Sequence, residues 1–389
     1  MNILIDFIPF QHNGGVGGTA SFAKAVYDEL LTHKPEDINV FGACDKRLAP
    51  GRQYDHELYA KEHDIKLLDI SRQPLGDLTT SNSIDVFFIA VGQFYSNYDL
   101  NGITCKTIMF IHDIFDIERC DNKIDLCLHD SYKESIVKWA KRIVNVVSGR
   151  YRRIARRRYD AIVPLYSSQN TVSYTVSEYS ANALRYYFPE IKKEVRVCYA
   201  PSHSVTDEKT ISNDRLRKAI EEGEKYVFMV AANRIYKNAE NVMKAFRQLW
   251  KEGCDVTLIT LKYGKSIHKK HIDIDFLSDS DMTKAYKHAQ ALVFPSLFEG
   301  FGYPPIEALA QGTPTIASNV TSIPEILGEA GIYFSPFYPA DIFRAIKGVL
   351  TGKFADKDKM ALRLEEIRSR QKADLNDLIN DILNKEIHY

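Results

Sequence analysis

The chain reads as an α/β protein with parallel strands, and three observations predict that class. The apolar run Ala291 to Phe294 has the length of a buried strand and stops at Pro295 and Ser296. A loop with Gly300 and Gly302 follows, and then a helix opens at Pro304 and Pro305 and closes at Gly312. The amino end repeats this order: the strand-like Asn2 to Phe7, the loop HNGGVGGTA from His12 to Ala20, and Ala23, Val26, Tyr27, Leu30 and Leu31 at helical spacing. Lastly, 389 residues suffice for two such domains with proper cores. In a parallel sheet of this kind ligands bind outside the carboxyl ends of the strands.

Each element follows in chain order. Gly14, Gly15, Val16, Gly17 and Gly18 form a loop whose backbone can approach a phosphate, with a tight turn before a helix as the plain alternative. Gly15, Gly17 and Ala20 satisfy G-x-G-x-x-A, and Asp45 after the strand-like Asn39 to Ala43 could serve as a ribose acid. In a dinucleotide site, however, the first glycine follows the strand at once, whereas Pro9 to Asn13 intervene here. Residues 50–84 are polar, poorly periodic and carry no assignable function. Ile84 to Val91 and Thr107 to Ile111 read as buried strands, and His112 and Asp113 stand at the carboxyl end of the second.

Lys133 to Arg158 is the most basic stretch. Ile136, Ala140, Ile143 and Val147 share one helical face there, with Trp139 on its flank. Such a helix either lies on an anionic membrane surface or packs inside the domain with a solvated charged rim; binding of an acidic acceptor is a third use. Thr171 to Glu178 alternates as a strand does, with Ser180 as a helix cap, and Val195 to Tyr199 is a further strand. Pro201 to Asn213 reads as the linker.

Tyr226 to Ala231 opens the second half, and Arg234 and Lys237 leave its end just before a helix. Two cations there suit a diphosphate; plain surface charge is the alternative. Val256 to Leu261 and Ile272 to Phe276 are strands. Asp273-Ile-Asp275 and Asp279-Ser-Asp281 imitate a metal motif, but the first alternates within a strand, and Ser280 or Asp281 caps the next helix. In the opening stretch, Glu299 and Glu307 bracket the glycine loop. A carboxylate accepts two hydrogen bonds from adjacent sugar hydroxyls, so the pair suits a nucleotide sugar. Alternatively Glu307 only serves the helix dipole and Glu299 is a loop charge. At the end, Leu375, Leu378, Ile379 and Ile382 form an amphipathic helix.

Composition bounds the partners. Lys plus Arg and Asp plus Glu both number 51, which argues against a nucleic-acid binder, and the six cysteines show neither CxxC nor metal-ligand spacing, so reduced thiols in a cytosolic protein are expected. The amino terminus lacks a basic export region, and no apolar run reaches the roughly eighteen residues of a membrane span.

The stretch from Glu299 to Glu307 closely resembles the E-x7-E signature of retaining glycosyltransferases of family 4, and Thr313 to Gly331 is similar to the strand and helix that follow it there. More loosely, IHDIFD resembles the family's V-H-D element, VSEYSANALRYYFPE its V-S-E-x-S element, and Arg234 with Lys237 and Asn238 its pyrophosphate-binding R-x-x-K-N. The resemblance implies the GT-B fold: two Rossmann-like domains, 1–205 for the acceptor and 206–365 for the nucleotide sugar, facing across a cleft. A terminal helix, 366–389, crosses back to the first domain or serves a homodimer contact. It implies retaining transfer of a hexose from a GDP or UDP sugar, with a lean to GDP-mannose, to a glycan or lipid-linked acceptor in cell-envelope polysaccharide synthesis.

By the same resemblance Arg234 and Lys237 neutralise the diphosphate, and Glu307 holds the ribose. Glu299 with Gly300, Phe301, Gly302 and Tyr303 holds the hexose, His112 lies beside the sugar, and the loop Gly14 to Gly18 covers the phosphates and the acceptor. The leaving phosphate serves as base; neither a metal nor a cofactor is expected. The enzyme would be cytoplasmic, at the inner membrane face if the basic helix binds lipid. A nucleotide-sugar epimerase, a non-catalytic sugar-nucleotide binder and a glycoside hydrolase using Glu299 and Glu307 are the rival readings.

Overall fold

A computed structural model describes residues 1–12, 15, 17–121, 135–202, 210–352 and 356–387. The chain divides into two compact units. The first is Met1–Asn122, Asn145–His203 and Ser369–Tyr389, and the second is Lys123–Val144 and Ser204–Arg368.

Unit 1 holds seven parallel strands, β1 (Asn2–Asp6), β2 (Asn39–Cys44), β3 (Lys66–Asp69), β4 (Val86–Ile89), β5 (Lys106–Phe110), β6 (Thr171–Thr175) and β7 (Val195–Val197), in the order β3-β2-β1-β4-β5-β6-β7. β4, β5 and β6 are buried at every residue, as strands covered on both faces must be. The strand order reverses between β1 and β4, so the loops after those two strands diverge there and leave room for a ligand. The helices are α1 (Ile8–Gln11), α2 (Gly18–His33), α3 (His56–Glu62), α4 (Leu75–Ser81), α5 (Phe115–Asp121), α6 (Ile136–Val147), α7 (Arg150–Tyr166) and α8 (Glu178–Tyr187); α6 runs from the residues of unit 2 into those of unit 1.

Unit 2 holds six parallel strands, β8 (Tyr226–Met229), β9 (Thr257–Leu261), β10 (His271–Ile274), β11 (Ala291–Phe294), β12 (Thr315–Ser318) and β13 (Gly331–Phe334), in the order β10-β9-β8-β11-β12-β13. Its helices are α9 (Asp214–Glu221), α10 (Ala239–Lys251), α11 (Asp279–His288), α12 (Tyr303–Ala310), α13 (Ile323–Leu327) and α14 (Pro339–Leu350). Here the order reverses between β8 and β11. The two loops singled out by sequence, Arg234 to Lys237 after β8 and Glu299 to Gly302 after β11, therefore flank one switch point.

Helix α15 (Lys357–Leu383) begins in unit 2 and from Ser369 belongs to unit 1. Leu378, Ile379 and Ile382 are buried. Lys106 Nζ donates to the carbonyls of Asp381, Asn384 and Glu386 at 2.8, 2.9 and 2.8 Å, tying the end of α15, whose last carbonyls lack helical partners, to the residues that follow it. Asp381 also takes Arg196 at 2.6 Å and the Tyr174 hydroxyl at 2.7 Å. The part of α15 that carries this apolar face is grouped with the residues of unit 1.

Several local expectations are corrected. Residues 50–84 contain α3, β3 and α4; β3 is an edge strand with a single buried residue, so it lacks an apolar run. Ser177, not Ser180, caps α8, its hydroxyl accepting from Ser180 N at 3.1 Å. Ser278, not Ser280 or Asp281, caps α11 by accepting from Asp281 N at 3.1 Å. Asp281 is instead buried and takes the amides of Ser212 and Asn213 at 2.9 and 3.0 Å. Asp273 likewise turns to Thr260 Oγ1 and to the amides of Tyr263 and Gly264.

Candidate functional site

The site of unit 2 is built on β8 and β11. After β8 the backbone turns through Ala231, at φ 52°, and Arg234 N reaches Ala231 O at 3.3 Å. One turn of tight helix, Ile235–Lys237, then delivers Lys237 to the left-handed Asn238 (φ 57°) that precedes α10. Asn238 and Asn241 both donate side-chain amides to Pro336 O, at 2.8 and 3.0 Å, which anchors this corner to the loop after β13.

After β11 the loop is held from below. Leu297 N donates to Tyr236 O at 2.9 Å, and buried Ser322 donates to the carbonyls of both Glu299 and Phe301 at 3.0 Å. Gly302 sits at φ 108°, where a residue with a Cβ is strained, so only glycine lets the chain enter α12 at this angle. Pro304 and Pro305 have no N–H, so they leave no donor of their own unmet in the first turn of this helix.

The structure joins two residues that lie 62 positions apart: the ammonium of Lys237 forms an ion pair with Glu299 Oε1. Lys237 is buried, with Nζ 4.8 Å from the Phe294 ring centroid and 5.5 Å from that of Tyr236. Its charge is therefore neutralised by Glu299, not offered as an independent point charge. Arg234 is exposed and differs: its guanidinium donates to the Tyr236 hydroxyl at 2.7 Å and holds no carboxylate among the described residues. A phosphate arriving here meets one uncompensated guanidinium beside an ammonium already shared.

Glu307 requires a correction. α12 begins at Tyr303, so Glu307 lies beyond the first turn and does not serve the helix dipole. Its Oε2 accepts from the Tyr286 hydroxyl at 2.7 Å. Tyr286 is buried, and burial, with the Glu307 charge adding, raises its phenol well above the ordinary range, so it stays a donor at any working pH.

In unit 1, His112 follows β5 and is buried, its Nε2 donating to Ala90 O at 2.8 Å. Burial pushes its imidazole down to about 4, so the ring is neutral and keeps Nδ1 as an acceptor. Phe22 packs edge-on at 4.7 Å, and Ser180 donates to the His112 carbonyl at 3.0 Å. In the glycine loop, Gly15 has φ 66°, and a Cβ there would lie 2.4 Å from the Phe10 carbonyl oxygen. Gly17, at φ 114°, precedes α2, which Gly18 begins; Gly14 and Val16 lie outside the described residues. Asp45 is spoken for: Arg47 and the Tyr98 hydroxyl hold it, which lowers its carboxyl to about 2 and leaves it unsuited to bind a ribose.

Residues 210–369, which carry Arg234, Lys237, Glu299 and Glu307, match the family model described as glycosyl transferases group 1. That segment, in the second half of the chain, is similar to the group 1 glycosyl transferases. Among curated relatives, the serotype-specific mannosyltransferase WbdA of Escherichia coli is 45% identical over 76 residues, 20% of this chain and 9% of that protein. The O-antigen chain mannosyltransferase RfbU of Salmonella typhimurium is 28% identical over 190 residues, 46% of this chain and 50% of its own. The chain thus spans from under a tenth to half the length of these relatives. A sucrose-phosphate synthase from Thermosynechococcus elongatus superposes with a TM-score of 0.62 at 13% identity, covering 98% of this chain and 97% of the other; this likeness concerns the fold, which is GT-B.

The group 1 pattern did not disclose every residue that shapes the site. Tyr236 lies inside R-x-Y-K, and its place between the two cations was a readable signal. Ser322 stands just before a proline-led helix, as a capping residue would, but it holds the loop instead. Tyr286 had no local signal, because its partner Glu307 lies 21 residues away.

Proposed function

We propose that this chain is a retaining glycosyltransferase that moves a hexose from a nucleoside diphosphate sugar to a hydroxyl of a glycan or lipid-linked acceptor in polysaccharide assembly. The observation that carries the proposal is the exposed guanidinium of Arg234, without a carboxylate among the described residues, beside the buried Lys237–Glu299 pair at the switch point of a parallel sheet. A diphosphate brings the charge that this arrangement lacks, and the developing charge of a departing nucleoside diphosphate is what it would stabilise. Binding the phosphate beside Lys237 would release one oxygen of Glu299 for sugar hydroxyls. Glu307, oriented by Tyr286, would take the ribose, and the amides of Gly302 and Tyr303 would meet the hexose. Neutral His112, with Nδ1 open as an acceptor, would support the sugar without adding charge. The leaving phosphate itself would take the acceptor proton, with no metal or cofactor called for.

The names of the matched relatives favour mannose, and hence a GDP-linked donor, and an envelope polysaccharide as product. Action at the inner face of a membrane, on a lipid-linked acceptor, belongs to the same reading. Incubation with GDP-mannose, UDP-glucose and UDP-N-acetylglucosamine, with and without chelator, tests it on a lipid-linked or free glycan. Transfer from one donor, unaffected by chelation and giving the same anomeric configuration by NMR, is expected. A product of inverted configuration, or an isomerised donor without acceptor, would overturn it.

A further inference from the structure

Helix α6 carries more than its fold requires. Counting 3.6 residues per turn, Ile136, Val147, Ala140, Val144 and Val137 fall on one arc of about 100°. All five are exposed, with Ile136 at 75%, Val137 at 63%, Val144 at 63% and Val147 at 72%. The buried side of the helix is different: it centres on Arg142 and Val146. The apolar residues of α6 thus point mostly to solvent, the reverse of a helix whose charges form a rim around a core contact. Lys141 adjoins the apolar arc and Lys138 follows it; both are exposed and neither holds a carboxylate among the described residues. The helix contains no Asp or Glu. Arg150, Arg153 and Arg157, in the next helix of the chain, are also exposed and unpaired with any described carboxylate.

We infer that α6 lies in the interface of an anionic lipid surface, its Ile136, Val137, Ala140, Val144 and Val147 arc entering the headgroup boundary and Lys138 and Lys141 meeting lipid phosphates. Charge selects this occupant. In a two-fold contact between copies, Lys138 and Lys141 would face one another with no acid on the helix to compensate. An anionic bilayer supplies both the apolar layer and the negative charge, and lysine stems can extend along the surface while their ammonium groups stay at the phosphates. This deepens the membrane part of the function proposed above but rests on α6, not on the donor site.

The test is co-sedimentation of the full chain with vesicles of phosphatidylcholine alone and with phosphatidylglycerol added, for wild type and a Val137→Ser/Val144→Ser variant. Both positions are exposed, so the fold should survive, and a thermal shift with GDP and UDP checks this independently. Binding to the anionic vesicles is expected, only partly reversed by salt, with the partition coefficient at least about tenfold lower in the variant. Absence of binding by the wild type, or equal binding by the variant, overturns the inference. So does a wild-type dimer that the double substitution makes monomeric without changing vesicle binding. If nucleotides shift neither protein, the donor reading fails while the vesicle result still decides this one.

Discussion

Removing either partner of the Lys237–Glu299 pair should cost more than removing both. The Glu299 side chain is 14% exposed and that of Lys237 9%, so each ion relies on the other more than on water. Lys237→Met leaves a carboxylate, and Glu299→Gln an ammonium, largely out of water; each should cost about 3 kcal/mol. The double variant leaves no unpaired charge and should cost about 1–2 kcal/mol, a coupling of several kcal/mol. Urea unfolding followed through Trp250, which packs on Phe246 within unit 2, is the assay, in a Trp139→Phe background so that one tryptophan reports. With a slope of about 2 kcal/mol per molar, each single variant should lower the midpoint by about 1.5 M. Additive effects, within about 0.5 kcal/mol, would refute the reasoning that the two charges are desolvated together. Nucleotide binding to the same variants separates roles, since Lys237→Met should lose diphosphate affinity more than Glu299→Gln does.

Other expectations follow from single contacts. Arg234→Ala should leave the urea midpoint nearly unchanged, because the side chain is exposed, yet it should abolish most of the thermal stabilisation given by the nucleoside diphosphate. Tyr286→Phe removes a charge-assisted hydrogen bond to Glu307 worth about 1.5–3 kcal/mol and should raise the donor KM more than it lowers kcat; unchanged KM would remove Glu307 from the ribose. His112 has its folded pKa depressed from 6.5 to about 4, so its contribution to stability is present above pH 6.5 and is lost as pH falls from there towards 4. Asp6, raised by burial from 3.8 to about 7, acts oppositely: its contribution is present below pH 3.8 and lost as pH rises through 7. Asp6→Asn should therefore make stability rise with pH across pH 4 to 7 more steeply than in the wild type; denaturant midpoints along that range check the sign. Lys106→Met should leave three carbonyls near the end of α15 without their donor and accelerate hydrogen exchange and proteolysis of residues after 380.

What was legible in the sequence is what depends on neighbours along the chain. β11 was readable to the residue, because a four-residue apolar run ends at a proline, and the strand–glycine loop–helix order follows from hydrophobic period and proline chemistry alone. Those local patterns also marked Arg234, Lys237, Glu299, Glu307 and His112, since strand ends of a parallel sheet are where ligands bind. Elements with little burial escaped: edge strand β3 hides a single residue and so carries no apolar run.

The tertiary structure decided which marked residues act together. That Lys237 spends its charge on Glu299 while Arg234 keeps its own follows from the sheet order, which sets β8 beside β11 and their loops on one switch point. Sequence spacing put Glu307 in a first helical turn, but the loop enters α12 one residue earlier through Gly302, and buried Tyr286 became its partner. The basic stretch shows the division most plainly. Its amphipathic period was evident from Ile136 to Val147, but a period says only that a face exists. Whether that face turns to the core or to the outside depends on packing elsewhere in the chain, and here it turns outward.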